Sequence, residues 1–199
     1  VAFDAKVQYP AVCNAVETLL IHESVAADFL PGMVERYRDA GVTLRGDAAT
    51  REVVDVDPAA DADWETEYGD LELSIKVVDS LDAAVDHVNA YGSKHTESIL
   101  TEDADRAGTF VRSIDAASVF HNASTRFADG YRYGLGAEVG ISTGKTHARG
   151  PVGLEGLTTY KWYLEGDGQL VGTYAGDDPR PFRHEAFDGE WSPGRLSGE

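Results

Sequence analysis

Apolar and polar positions follow two periods along the first 120 residues of the chain. Apolar residues alternate with polar ones, or form short runs, at five places, which predicts strands. Between these places they recur every three or four positions, which predicts helices. The predicted strands cover residues 18–22, 42–46, 72–79, 98–101 and 118–122. The alternation of strand and helix predicts an α/β domain with a mostly parallel sheet flanked by helices.

Helix-breaking and capping residues divide the first 46 residues. Residues 1–8 are typical of the end of a helix, which Pro10 interrupts. A short helical turn is expected around Cys13, before the first strand. Ser24 is the expected N-cap of the next helix, with Pro31 in its first turn and Gly41 at its end.

The next part of the chain combines a polar connection with two capped helices. Residues 47–63 are acidic and rich in alanine, which predicts an exposed connection. Ser80 is the expected N-cap of a helix that ends at Gly92. Residues 102–114 predict a second helix with Val111 on its apolar face.

Residues 122–162 are unusually rich in glycine, with Arg126, Arg132 and Arg149 among the glycines. Glycine costs backbone entropy on folding without adding a side chain to a core, so this composition indicates sharp bends around something. Backbone amides and guanidinium groups together are typical of an anion site. The stretch GISTGKT lacks the spacing of a phosphate-binding P-loop, because three residues rather than four separate Gly140 from Gly144.

The chain is strongly acidic. It carries 35 acidic and 17 basic residues, for a formal charge of −18, and five of the basic residues are lysines. Such a surface repels nucleic acids and anionic membranes. It also suggests adaptation to high salt, where charges are screened over a few ångströms. No apolar run approaches the length of a membrane helix, so a soluble cytoplasmic protein is expected.

Cys13 is the only cysteine. It therefore cannot form an intramolecular disulfide or part of a cysteine-rich metal site. The six histidines lack the spacing of metal ligands, and no metal site is predicted.

Three segments resemble the γ-glutamyl-phosphate reductase family, within the aldehyde dehydrogenase superfamily. They are AVCNAVETLLIH around Cys13, VDSLDAAVDHVNAYGSKHTESI ending at Ile99, and residues 122–162. The resemblance spans about residues 1–170 and implies an aldehyde dehydrogenase-like catalytic domain. Members of this family are much longer, so the chain looks like the catalytic portion with the N-terminal nucleotide-binding domain largely absent.

The resemblance implies the reduction of L-glutamyl 5-phosphate to glutamate 5-semialdehyde with NADPH, the second step of proline biosynthesis. Cys13 would attack the acyl phosphate and form a thioester. A position in the first turn of a helix would lower the pKa of the thiol. Glu67 matches the superfamily glutamate that contacts the cofactor ribose.

The same resemblance suggests substrate-binding residues in the segment 122–156. Arg126 would clamp the carboxylate or phosphate of the substrate, and a structural ion pair is the competing interpretation. Asn122 and Ser124 follow a strand and are expected at its carboxyl end, where ligands bind. His147 and Arg149 are further anion candidates, with structural turn roles as the alternative. His95 is given no part in the chemistry.

The predicted organisation is a catalytic domain over residues 1–157, an edge strand over 158–171 and a tail over 172–199. The edge strand is expected to pair with another subunit, so a homo-oligomer is predicted. A functional link to glutamate 5-kinase is also expected. Two alternatives stay open: an aldehyde dehydrogenase relative that oxidises a semialdehyde, and an inactive fragment or oligomerisation module.

Overall fold

A computed structural model describes residues 1–186 of the chain. The remaining part of the predicted tail, residues 187–199, lies outside the described residues. The chain divides into two compact units, Val1–Thr159 and Tyr160–Glu199. None of the described helices is long and apolar enough to cross a membrane.

The unit Val1–Thr159 alternates helices and strands as the sequence predicts. Short 3₁₀ turns add Asp61–Trp64, Thr125–Phe127 and Glu155–Leu157. In chain order the helices and strands are α1 (Ala2–Val7), β1 (Thr18–His22), α2 (Glu23–Asp39), β2 (Thr43–Gly46), α3 (Ala48–Val53), β3 (Asp57–Pro58), β4 (Glu72–Val78), α4 (Leu81–Tyr91), β5 (Thr96–Ile99), α5 (Ala104–Ser113), β6 (Ser118–His121), β7 (Gly140–Ser142) and β8 (Gly150–Val152).

The strands form three sheets instead of one. Four parallel strands lie in the order β1-β4-β2-β3, and β5 and β6 form a separate parallel pair. The last pair, β7 and β8, is antiparallel. The α/β class with mostly parallel pairing is confirmed, although the strands do not join into one sheet.

The hydrophobic core lies between α2 and the four-stranded sheet. Leu30 and Tyr37 of α2 are fully buried against Leu73 and Ile75 of β4. Burying each of the aliphatic side chains contributes about 1.5–3 kcal/mol. The Tyr37 hydroxyl donates to the carbonyl of Ala2 at 2.9 Å, which ties α1 to the same core.

Helix α2 begins earlier than the sequence predicts. Its N-cap is His22, whose Nδ1 accepts from the backbone N–H of Ser24, so the predicted N-cap role of Ser24 is wrong. Pro31 lies in the helix interior, so its predicted place in the first turn is wrong. An interior proline removes a hydrogen bond and costs about 3 kcal/mol. Burial of the α2 face that carries Leu30 and Tyr37 outweighs that cost.

Residues 47–63 are more regular than predicted, because they contain α3, β3 and a 3₁₀ turn. Asp47 caps α3, accepting from the backbone N–H of Thr50 at 2.8 Å. Thr50 is fully buried beside Gly46, where an added Cβ would lie 2.7 Å from the threonine methyl carbon. Close packing against the end of β2 therefore orders a segment whose composition suggests a loop.

The N-cap of α4 is Ser80, as predicted, and the N-cap of α5 is Asp103, within the predicted range 102–114. Strand β5 begins two residues before the predicted position. On α5 the buried apolar residues are Ala107 and Phe110, whereas Val111 is 44% exposed, so the predicted place of Val111 on the packed face is wrong. The large aromatic ring fixes the rotation of this helix.

The glycine-rich segment runs through two 3₁₀ turns and the strands β7 and β8. Gly134, Gly136 and Gly150 have positive φ angles that side chains rarely adopt, which accounts for part of its glycine content. The segment is joined to the β5–β6 sheet, because the Tyr133 hydroxyl donates to Ser118 Oγ at 2.7 Å.

The unit that begins at Tyr160 contains one 3₁₀ turn, Val171–Tyr174, among its described residues. Residues 158–170 form no strand within the described chain. A strand needs a hydrogen-bonded neighbour, so the edge strand over 158–171 stays a prediction that depends on another subunit.

Candidate active site

Cys13 lies in a turn between α1 and β1 and exposes its thiol. The backbone N–H of Ala15 donates to the carbonyl of Val12 at 2.9 Å, which closes the turn. This single turn does not continue into a helix, so no helix dipole acts on the sulfur. Burial raises the pKa of the Cys13 thiol despite a backbone hydrogen bond that lowers it. The expected lowering of this pKa is therefore wrong.

His95 contacts the sulfur directly. Its Nε2 lies 3.1 Å from Cys13 Sγ, and its Nδ1 lies 2.7 Å from Thr96 Oγ1. The imidazole is buried, and this burial lowers the pKa of His95. The sequence analysis missed this residue because 82 positions separate it from Cys13. The signal that could have found it is its place in a segment that carries the family resemblance.

Two buried hydrogen bonds hold the Cys13 turn against the glycine-rich segment. Asn14 Nδ2 donates to the carbonyl of Ala128 at 2.8 Å. In return, Thr125 Oγ1 donates to the carbonyl of Asn14 at 2.6 Å. Segments more than a hundred residues apart in sequence therefore form one site.

Arg126 is the predicted substrate residue that the structure brings to the thiol. Its charge lowers the pKa of Cys13, although burial and the Glu138 and Glu67 carboxylates outweigh it. Arg126 Nε donates to Gln8 Oε1 at 3.0 Å. Burial and then the charge of Arg132 lower the pKa of the Arg126 guanidinium, so an incoming anion would relieve an unfavourable environment.

Two carboxylates surround the same site. Glu138 and Glu67 both raise the pKa of the Cys13 thiol and act against the lowered pKa of His95. The sequence analysis did not single out Glu138, whose Oε2 accepts from the backbone N–H of Gly130 at 2.8 Å.

Glu67 lies exposed in the loop that precedes β4. This loop is anchored by Glu17, which accepts from the backbone N–H of Gly69 at 3.2 Å and pairs with the fully buried Lys6 at 2.7 Å. The anchored loop presents the Glu67 carboxylate to solvent near Cys13.

Asn122 and Ser124 have local structural contacts. The Asn122 side chain donates to and accepts from the backbone of Thr101, both at 2.9 Å, while its own backbone has a positive φ. Ser124 is buried and caps the 3₁₀ turn by accepting from the backbone N–H of Arg126. Both residues therefore shape the backbone that carries Arg126.

His147 and Arg149 also have partners within the fold. Arg149 pairs with Asp115 at 2.8 Å, and Lys145 pairs with the other oxygen of the same carboxylate at 2.9 Å. These two ion pairs lower the pKa of Asp115. His147 Nε2 lies 3.1 Å from the carbonyl of Gly156. Among the described residues, Arg126 influences the pKa of Cys13 electrostatically, whereas His147 and Arg149 are not among the groups that shift it.

The chain is similar in sequence and in structure to proteins named gamma-glutamyl phosphate reductase. The chain is 70% identical over 195 residues to a gamma-glutamyl phosphate reductase of Natronomonas pharaonis, which covers 97% of this chain and 44% of that protein. A crystal structure of gamma-glutamyl phosphate reductase from Thermotoga maritima matches 85% of this chain and 41% of its own, with a TM-score of 0.82 and 54% identity. The chain thus spans less than half the length of these relatives. No family model matches it.

A propionaldehyde dehydrogenase from Clostridium phytofermentans matches 75% of this chain and 43% of its own, with a TM-score of 0.53 and 15% identity. At this identity the likeness concerns the fold alone. It confirms the predicted aldehyde dehydrogenase-like architecture.

Proposed function

Because this chain corresponds in sequence and fold to a part of the gamma-glutamyl phosphate reductases, we propose that it supplies the nucleophile of such an enzyme. The reaction is the NADPH-dependent reduction of L-glutamyl 5-phosphate to glutamate 5-semialdehyde, the second step of proline biosynthesis. The observation that carries the proposal is the 70% identity across nearly the whole chain. The exposed Cys13 thiol beside an imidazole and a guanidinium supports it chemically.

Cys13 is the nucleophile of the proposed reaction. Its sulfur attacks the acyl carbon, the C–S bond of a thioester forms, and phosphate leaves with the electron pair of the C–O bond. NADPH, when bound, supplies the hydride that converts the thioester to the level of an aldehyde. Glu67 fits a role toward the cofactor, because an exposed carboxylate near Cys13 accepts hydrogen bonds from a sugar hydroxyl.

Arg126 holds the anionic end of the substrate in this proposal. Its planar guanidinium pairs with two oxygens of a carboxylate or phosphate, and its position near Cys13 suits a substrate that carries both groups. Asn122 and Ser124 support the backbone around it and line the substrate side of the site. His147 and Arg149 belong to the proposed substrate segment, at its more distant part.

We assign the second compact unit to assembly. Tyr160, Trp162 and Leu164 are 79%, 90% and 89% exposed. An extended segment with exposed apolar side chains is suited to pair with a second copy of the chain. The proposal therefore includes a homo-oligomer. A cytoplasmic location and a functional link to glutamate 5-kinase are further parts of the proposal, suggested by the relatives of the chain.

The test is phosphate-dependent reduction of NADP with glutamate semialdehyde. It is run on this chain alone and on this chain joined to the further portion that the longer relatives possess. Activity that requires phosphate and disappears in Cys13→Ala supports the reductase. Activity without phosphate supports the aldehyde-oxidising alternative, and inactivity of both proteins supports a non-catalytic module. Full activity of Cys13→Ala overturns the proposed mechanism.

Arg126→Lys tests the substrate role. The substitution keeps the charge and removes the planar fork, so the KM for the semialdehyde and for phosphate rises about tenfold or more. Arg106→Lys is the matched control, since Arg106 is 65% exposed on α5 and pairs with Asp103. An equal effect of both substitutions would contradict the assignment.

A further inference from the structure

We propose that His95 accepts the proton of the Cys13 thiol during attack and returns it when the product leaves, with Thr96 fixing the imidazole tautomer. This inference rests on the proposed function, because it assigns a proton acceptor to the nucleophile. It concerns a histidine that the sequence resemblance leaves without a chemical role.

The proposed proton transfer requires one tautomer of the imidazole, and the contact distances are compatible with it. His95 Nε2 lies 3.1 Å from Cys13 Sγ, within hydrogen-bonding distance of a thiol. For Nε2 to accept the S–H proton it must be unprotonated, so the neutral imidazole carries its proton on Nδ1. Thr96 Oγ1 lies 2.7 Å from Nδ1 and accepts that proton in a hydrogen bond. Thr96 is therefore a positioning residue, whereas His95 touches the reacting atom.

The position of His95 suits a precise role. Its ring is 6% exposed, and it immediately precedes β5, whose first residue is Thr96. The backbone N–H of His95 donates to Ser93 Oγ at 3.3 Å. A buried ring at the start of a strand holds its orientation better than an exposed ring in a loop would.

Burial of the two groups favours a neutral resting state, although nearby charges act on both. Glu67 and Glu138 act on both groups, and Arg126 acts on Cys13. Burial raises the pKa of the thiol and lowers the pKa of the imidazole, so each group is favoured in its uncharged form. The proton consequently moves from sulfur to Nε2 as the new bond forms.

The step balances with solvent water and the hydride donor of the proposed reaction as the other reactants. Sγ forms a bond to the acyl carbon while its proton moves to Nε2, and phosphate leaves with the C–O electron pair and takes a proton from water. After hydride uptake from the reduced nicotinamide, the C–S bond breaks and the carbonyl of the aldehyde forms. The electron pair of the broken bond remains on Sγ, which takes back the proton from His95.

Alkylation of the single cysteine by iodoacetamide tests the inference without substrate or cofactor. In the unaltered chain, the form with the proton on His95 carries a reactive thiolate. The plot of alkylation rate against pH therefore has a shoulder at pH values below the pKa of the thiol. His95→Gln loses that shoulder and reacts about tenfold more slowly at pH 7, the change expected when a neighbouring group no longer supports the thiolate. His121→Gln is the matched control, because His121 is an exposed histidine at the end of β6.

Thr96 variants keep the test decisive if His95→Gln fails to fold. Thr96→Val removes the hydroxyl while keeping the β-branched shape that suits β5, and it lowers the shoulder about threefold or more, since the imidazole loses its preferred tautomer. Thr96→Ser restores it. Identical pH–rate profiles for the unaltered chain and each folded His95 or Thr96→Val variant would overturn the inference. Failure of the reductase assay with these alkylation results intact would overturn only the proposed function.

Discussion

Glu97 provides a quantitative prediction about stability. It lies on β5 opposite Val119, with its side chain against Gly92, where an added Cβ would lie 2.8 Å from Glu97 Oε1. Burial raises the pKa of Glu97 from 4.5 to about 7. The folded state therefore favours the protonated carboxyl, and ionisation destabilises the fold.

The sign follows from the two protonation equilibria. Below pH 4.5 the carboxyl is protonated in both the folded and unfolded states, and above pH 7 it is ionised in both. Stability is therefore lost as the pH rises between these values. At about 1.4 kcal/mol per pH unit, the gap between 4.5 and about 7 corresponds to about 3 kcal/mol. Because Glu97 keeps partial exposure, Glu97→Gln is expected to stabilise the chain by about 1–3 kcal/mol at pH 8.

Urea unfolding of both proteins at pH 4 and pH 8, at one salt concentration, measures this difference. The gain should be present at pH 8 and close to zero at pH 4, since a glutamine resembles the protonated carboxyl. Glu102→Gln is the matched control, as it removes one charge from an exposed residue near the same strand. A gain of equal size at both pH values, or in both variants, would refute the reasoning.

Two further predictions concern packing and charge. Thr125→Val removes the buried hydrogen bond to the Asn14 carbonyl and should lower the free energy of unfolding by about 1–3 kcal/mol. Thr125→Ser keeps the hydroxyl and should keep most of that stability. Equal urea midpoints for the two variants would contradict this prediction. The formal charge of −18 predicts that the melting temperature rises between low and molar salt, where the screening length falls to about 3 Å. A melting temperature independent of salt would refute the high-salt interpretation.

Local signals made most of the fold predictable from sequence. The bounds of β1 follow from the alternation of apolar and polar residues, and the N-cap of α4 follows from Ser80, which acts on neighbouring residues. The start of α2 and the existence of α3 do not follow, because packing decides them. Pro31 is exposed and is tolerated because its neighbour Leu30 packs against the sheet, whereas Thr50 is itself fully buried.

The site depended on contacts that spacing does not reveal. The nucleophile and Arg126 were identified through the family resemblance, but His95 reaches Cys13 across 82 residues and Asn14 reaches Ala128 across 114. The fold brings the two members of each pair together although they are far apart in sequence. A sequence pattern gives the residue types, whereas the hydrogen-bond partners come from the fold.

The raised pKa of the Cys13 thiol determines how this residue becomes nucleophilic. A helix N-terminus would lower the pKa of the Cys13 thiol and ionise it before substrate binds, and a thiolate reacts with oxidants as well as with substrate. The turn that replaces it leaves the thiol protonated, because burial raises its pKa and Glu138 and Glu67 oppose the negative charge. Reactivity then requires a base in contact with sulfur and an anion-binding cation nearby, and His95 and Arg126 meet those two needs. The nucleophile is thus expected to be activated by the approach of its substrate more than by its resting environment.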